Sequence, residues 1–93
     1  MVVYMGETVE IQNTIIDKFG TLVNPDTQSI EIYDPLGTLK DTITTPTKVS
    51  DGVYFIDYTI PTAGPDGTWK LVWKITYGSD IGIEAFTFPV TKP

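Results

Sequence analysis

Apolar and polar residues alternate along most of this chain, and the alternation breaks at Gly-, Pro- and Asp-bearing segments roughly every 8–15 residues, the rhythm of short strands joined by turns. In residues 7–17, Val9, Ile11, Asn13 and Ile15 share one parity, and Thr8, Glu10, Gln12 and Thr14 share the other. Successive strand side chains point to opposite faces, so this pattern predicts a strand with one face in a core and one in water. Residues 29–33 predict a short strand with Ile30 and Ile32 inward. The strongest strand spans residues 53–60, with Tyr54, Ile56, Tyr58 and Ile60 on one face and Val53, Phe55, Asp57 and Thr59 on the other. In the next, Trp69, Leu71, Trp73 and Ile75 point inward and alternate with Lys70, Val72 and Lys74. Shared parity makes both tryptophans, and the tyrosine pair before them, core residues and not a stacking platform for a ligand. A tyrosine at a strand corner of such a sandwich is expected to hydrogen-bond backbone.

The remaining strands carry weaker signals. Leu39, Asp41 and Ile43 alternate poorly, which predicts an edge strand over residues 39–45. In the last strand, parity changes between Ile83 and the series Phe86, Phe88, Val90, so a bulge is expected near Glu84-Ala85. Pro89 places that strand at an edge or near its end. Asp17-Lys18-Phe19-Gly20, Asn24-Pro25-Asp26, Asp34-Pro35-Leu36-Gly37 and Asp51-Gly52 read as turns, and Tyr77-Gly78-Ser79-Asp80 as a hairpin connection. No segment sustains the spacing of an amphipathic helix. About seven antiparallel strands without a helix fit an all-β sandwich better than a barrel.

Composition then narrows function. The 93 residues include no Cys, His or Arg, a length that suits one domain over residues 1–93. Disulfides and thiolate metal sites are excluded, and the fold must rest on its core. The commonest general base and metal ligand is missing, as is bidentate recognition of phosphate. A net charge of −6 repels nucleic acid and anionic membrane. The N-terminus has no basic segment ahead of an apolar run, so no signal peptide is expected, and no stretch is long enough to span a bilayer.

The acids Asp17, Asp26, Asp34, Asp51, Asp66 and Asp80 all fall in turns. Calcium takes loop oxygens, but turn geometry selects the same residues, and no dense run of alternating acids exists. Asp57, the only acid in the middle of the strongest strand, reads as solvent-facing and not as half of a catalytic pair. No hydrolytic site is therefore expected, and no cofactor. Val53 and Phe55 are apolar on a face that should meet water. With Val72 they form the candidate interface, an apolar patch for a protein partner.

In order along the chain, Gly6-Glu7-Thr8-Val9-Glu10-Ile11, Asp17-Lys18-Phe19-Gly20-Thr21-Leu22-Val23-Asn24, Ile30-Glu31-Ile32-Tyr33-Asp34-Pro35, residues 51–61 and Gly67-Thr68-Trp69-Lys70-Leu71-Val72-Trp73-Lys74-Ile75-Thr76-Tyr77-Gly78 form blocks that resemble immunoglobulin-like modules. The resemblance is to bacterial surface proteins, to macroglobulin-type domains and to small virion proteins of tailed phages, and it covers residues 6–90. It implies an immunoglobulin-like β-sandwich, although the Cys…Trp…Cys pattern of antibody domains is absent. The expectation that follows is a non-catalytic structural protein, a small virion component (decoration, neck or fibre-associated) made in the host cytoplasm. Its partners would be itself, as a homo-oligomer, or other virion proteins, met through a sheet edge or the candidate patch. The alternative is a binding or spacer module of a secreted bacterial or archaeal surface protein, located outside the cell.

Overall fold

The computed structural model describes residues 3–93; Met1 and Val2, where the N-terminal reading starts, lie outside them. Eight strands are present: β1 (Val3–Tyr4), β2 (Thr8–Thr14), β3 (Thr27–Tyr33), β4 (Leu39–Ile43), β5 (Thr47–Ser50), β6 (Val53–Thr59), β7 (Gly67–Tyr77) and β8 (Asp80–Thr91). They form a five-stranded sheet of order β1-β8-β7-β3-β4 and a three-stranded sheet of order β2-β6-β5. All pairings are antiparallel except β1 with β8, which is parallel.

The inward faces are those the alternation predicts. Ile30, Ile32, Trp69, Leu71 and Trp73 from the larger sheet pack with Val9, Tyr54, Ile56 and Tyr58 from the smaller and with Ile15 and Ile60, which follow β2 and β6. Each indole N–H finds an acceptor, Trp69 Nε1 donating to Pro65 O and Trp73 Nε1 to Gln28 Oε1, both at 3.0 Å. Burial therefore costs neither ring its hydrogen bond. Val3 and Met5 also enter the core; so short a strand gives almost no periodicity, and the alternation does not reveal it. β5 escapes for a related reason, because all four of its residues are exposed and carry no inward set.

The bulge expected near Glu84-Ala85 is not there. The β7–β8 register runs unbroken from Gly67↔Val90 to Tyr77↔Asp80. Ile83 simply lies on the outer face opposite Lys74, two-thirds exposed. Register shifts occur instead between Ile32 and Tyr33 and between Lys48 and Ser50. Pro89 does sit near a strand end. Met5 N donates to Thr91 O, so the odd-numbered residues of β8 turn their backbone groups away from β7. The N–H that Pro89 lacks would therefore face outward and costs the β7 ladder nothing.

Two turns share one construction. Asp17 Oδ1 accepts from Phe19 N (2.8 Å) and Thr21 N (3.0 Å), and Asp34 Oδ1 from Leu36 N (2.9 Å) and Thr38 N (3.0 Å). Each Asp carbonyl also accepts from the Gly three residues on. Asp34 is buried, with Lys40 Nζ at 3.5 Å.

The corner tyrosine behaves differently from expectation. Tyr54 donates to a side chain, Asn24 Oδ1 at 3.0 Å, which also accepts from Gly52 N at 3.1 Å. Asn24 Nδ2 in turn donates to Asp51 Oδ1, so this one amide ties the segment after β2 to the β5–β6 turn. Tyr58 Oη, by contrast, is sealed from water and has no aligned hydrogen-bond partner among the described residues. Its burial, reinforced by Asp41, pushes the phenol up to about 12. An unfolded tyrosine titrates near ~10. This contribution to stability is therefore complete below that pH and is lost as pH rises through the folded value. Tyr58→Phe is expected to leave stability at pH 7 unchanged or raised by up to ~1 kcal/mol, since an unsatisfied group is removed. It should also flatten the fall in stability between pH 10 and 12, which urea titrations across that range would measure.

Candidate interaction surfaces

The residues Val53, Phe55 and Val72 do not form one patch. Val53 and Phe55 lie on the outer face of the three-stranded sheet, opposite in parity to buried Tyr54 and Ile56. Val72 lies on the outer face of the five-stranded sheet, opposite in parity to Leu71 and Trp73. The whole core separates them, and each is partly buried. Parity along a strand fixes inside from outside; it does not tell which of two outer faces a residue joins.

Their surroundings are polar. Around Phe55 stand Gln12 and Thr47 as cross-strand partners, with the opposed acids Glu10 and Asp57 beyond. Glu10 and Asp57 are exposed, and Asp57 lines a shallow hollow of about 250 Å³ with Thr45, Thr47 and Phe55. Around Val72, Lys74 Nζ lies 2.8 Å from Glu31 Oε1, and that contact holds the Glu31 carboxyl below its usual value. The same oxygen is shielded from water without an aligned hydrogen bond, so the ammonium charge is its compensation. Val72 also lines a hollow of about 540 Å³ with Tyr33, Pro35 and the charged Glu31, Lys70 and Lys74, and its cross-strand neighbour on this face is Ala85.

Five of the six acids in turns have partners among the described residues. Asp17 and Asp34 build their turns as above, Asp26 Oδ2 accepts from Gly78 N at 2.7 Å, Asp51 meets Lys48 Nζ at 3.0 Å, and Asp80 meets Lys18 Nζ at 3.9 Å. Among the described residues no three acids gather as a metal site.

The more exposed large apolar side chains on the outer face of the five-stranded sheet lie at the upper end of β8. Ile81 is 74% exposed and Ile83 66%. The segment after β2 lies beside them through Ile16, and it also carries Phe19, 81% exposed, and Leu22. Ile16, Val23, Ile75, Tyr77 and Ile81 line a groove of about 280 Å³ together with Gly82 and the charged Asp17, Lys18 and Asp80. A second hollow of about 170 Å³ continues it along the seam, lined by Asn13, Ile15, Trp73, Ile83 and Glu84.

The topology explains the opening. β2 is an edge of the smaller sheet, β8 lies at the edge of the larger one wherever the two-residue β1 does not pair with it, and residues of both line the second hollow. At the lower end, β1 pairs with Val90 and Thr91 and inserts Val3 into the seam. At the upper end, no described strand covers β8. Sequence alternation passes over this surface because Ile83 reads as one more inward-facing residue of the last strand. The available signal is Gly82: its parity puts it opposite Ile75, and a Cβ there would meet Ile75 Cγ1 at 2.9 Å. The inward position is thus taken by glycine, and the two isoleucines are left outside.

No family model matches this chain, and no curated protein matches it. Solved structures do. An Escherichia coli alpha-2-macroglobulin activated by porcine elastase superposes with a TM-score of 0.75 at 17% identity, over 96% of this chain and 8% of that one. A Salmonella alpha-2-macroglobulin reacted with methylamine gives 0.74 at 21% identity, over 99% and 6%. The Lin-41 filamin domain gives 0.70 at 16% identity, over 99% of this chain and 84% of that one. An endo-beta-1,4-mannanase from Thermotoga petrophila gives 0.69 at 16%, over 98% and 18%. The fold is an immunoglobulin-like β-sandwich. At these identities the likeness concerns fold alone, and this chain spans less than a fifth of the macroglobulin and mannanase chains.

Proposed function

We propose that this chain is a non-catalytic interaction module whose work is done by the open β8 edge and the segment beside it. The observation that carries this reading is that Ile16 and Ile81 line one groove and Ile16 and Ile83 the hollow that continues it, all three being more than half exposed. Isolated exposed apolar residues are ordinary, whereas a contiguous set rimmed by polar groups marks an interaction surface. The absence of His, Cys and Arg supports a role in shape and contact over one in chemistry.

In its finer form the proposal is a small virion component of a tailed phage, binding itself or its structural neighbours. The resemblance of the sequence blocks to small phage virion proteins supports it. A module of a larger secreted surface protein is the second reading, favoured by the small share of the macroglobulin and mannanase chains to which this fold corresponds.

Co-sedimentation with purified tail and capsid particles, beside glycan and protein arrays, separates the two. Ile81→Asp and Phe19→Ser are expected to weaken whichever association exists by about tenfold or more, at little cost in stability because both residues are exposed. Phe55→Lys, on the far sheet, should leave it intact. Equal binding by all three variants would show that contact is made elsewhere.

A further inference from the structure

Resting on that reading of the β8 surface, we infer that its occupant is a second copy of the chain, joined β8 to β8 in antiparallel fashion about a two-fold axis centred on Ile83. The two five-stranded sheets would then become one continuous sheet.

The backbone of β8 supplies the donors and acceptors. Odd-numbered residues turn their N–H and C=O away from β7, as the Met5 N to Thr91 O bond fixes. Ile81, Ile83 and Ala85 therefore present paired groups to the open side, and β1 does not reach them because it joins β8 only at Val90 and Thr91. A two-fold at Ile83 sets Ile83 opposite Ile83 of the second copy, and Ile81 opposite its Ala85. Opposed residues in an antiparallel pair share a face. The outward stripe Ile81, Ile83, Ala85 thus meets its own reverse, and the exposed isoleucines of both copies form one apolar row.

Charge and proline select this register from its neighbours. Glu84 is the only charged residue between Ile81 and Val90. In the chosen register it lies opposite Gly82 of the second copy, which has no side chain and borders the groove. A two-fold at Glu84 would set the two carboxylates against each other, and one at Gly82 would set Glu84 against Asp80. Like charges directly opposed are destabilising. A two-fold at Ala85 would put Ile81 opposite Pro89, which has no N–H to give. Parallel stacking in register would align Glu84 with Glu84. Charges and prolines on an edge ordinarily block open-ended pairing; here they leave one closed arrangement, in which each copy uses up the other's edge.

The test exploits the absence of cysteine. Sedimentation equilibrium of the full chain should show a monomer–dimer equilibrium that tightens with added salt, because two chains of net charge −6 repel and salt screens that repulsion. Ile83→Lys, at an exposed position, and Ala85→Pro, which deletes an outward N–H without touching the β7 ladder, should each weaken dimerisation by about tenfold or more. Opposed Cα atoms in such a pair lie about 5.5 Å apart, within disulfide reach. Ile83→Cys should therefore cross-link to itself on mild oxidation, whereas Thr87→Cys should not. Equal cross-linking of Thr87→Cys, or a dimer that survives both Ile83→Lys and Ala85→Pro, would overturn the inference. A wild-type chain monomeric at millimolar concentration would overturn it too. If that monomer still bound virion or surface-protein partners in a manner sensitive to Ile81→Asp, the interaction-module reading would stand without the second copy.

Discussion

Replacing either Trp69 or Trp73 with alanine is expected to destabilise the domain by about 3–5 kcal/mol, a large part of the total stability of a chain this size. Both rings are at most 1% exposed. Each lies in β7, which pairs with β3 on one side and β8 on the other, so the cavity left by truncation would open at the centre of the larger sheet. Rigid strands on both sides limit how far the site can collapse, and that places the cost toward the upper end of the range. Truncation also strands an acceptor, Pro65 O for Trp69 and Gln28 Oε1 for Trp73. Urea unfolding followed by far-ultraviolet circular dichroism is the measurement, with reductant expected to have no effect. A folded, near-wild-type Trp73→Ala would mean that the ring is not a core element.

The second large effect is expected at Gly52. This residue sits in the β5–β6 turn with φ of 77°, a left-handed conformation costing an L side chain about 1–2 kcal/mol. A Cβ there would also lie 2.9 Å from Ile15 O and 3.0 Å from the Leu22 side chain. Ile15 O itself accepts from Val23 N, and Gly52 O from Ile15 N at 2.7 Å, so the backbone has little freedom to withdraw. Gly52→Ala should cost at least ~2 kcal/mol from strain and contact together. Gly37→Ala is the matched control: its φ of 82° is similar, but nothing lies within 4 Å of the added carbon. The difference in urea midpoint between the two variants isolates the steric share; equal midpoints would refute it.

The fold was largely readable in the chain because two-period alternation is strong where burial is one-sided. It assigned the inward faces of β2, β3, β6 and β7, and it marked β4 as an edge. It failed where that physical condition fails: β5 buries nothing, β1 is too short, and at Ile83 an exposed apolar residue mimics a buried one. The candidate interface was harder. Alternation places Val53, Phe55 and Val72 on outward faces but is silent about which sheet each strand joins, since that depends on pairings between residues far apart in sequence. Asn24 was equally hidden, because an Asn-Pro turn signal says nothing of an amide that reaches Tyr54, Gly52 and Asp51. The repeated Asp-x-x-Gly-Thr of residues 17–21 and 34–38 was legible as turns, and the two do share one hydrogen-bonding scheme.

The parallel pairing of β1 with β8 bears on how this domain would carry a mechanical load. Val3 lies beside Val90 and Tyr4 beside Thr91, with both strands running the same way. Tension applied between the chain before Val3 and the chain after Thr91 would pull these neighbours along their length in opposite directions. The load then acts in shear: the backbone bonds between the two strands and the buried contacts of Val3 resist it together, whereas a terminal hairpin would peel open bond by bond. A domain tethered at both ends in this way would hold as a clamp until β1 slid free as a unit.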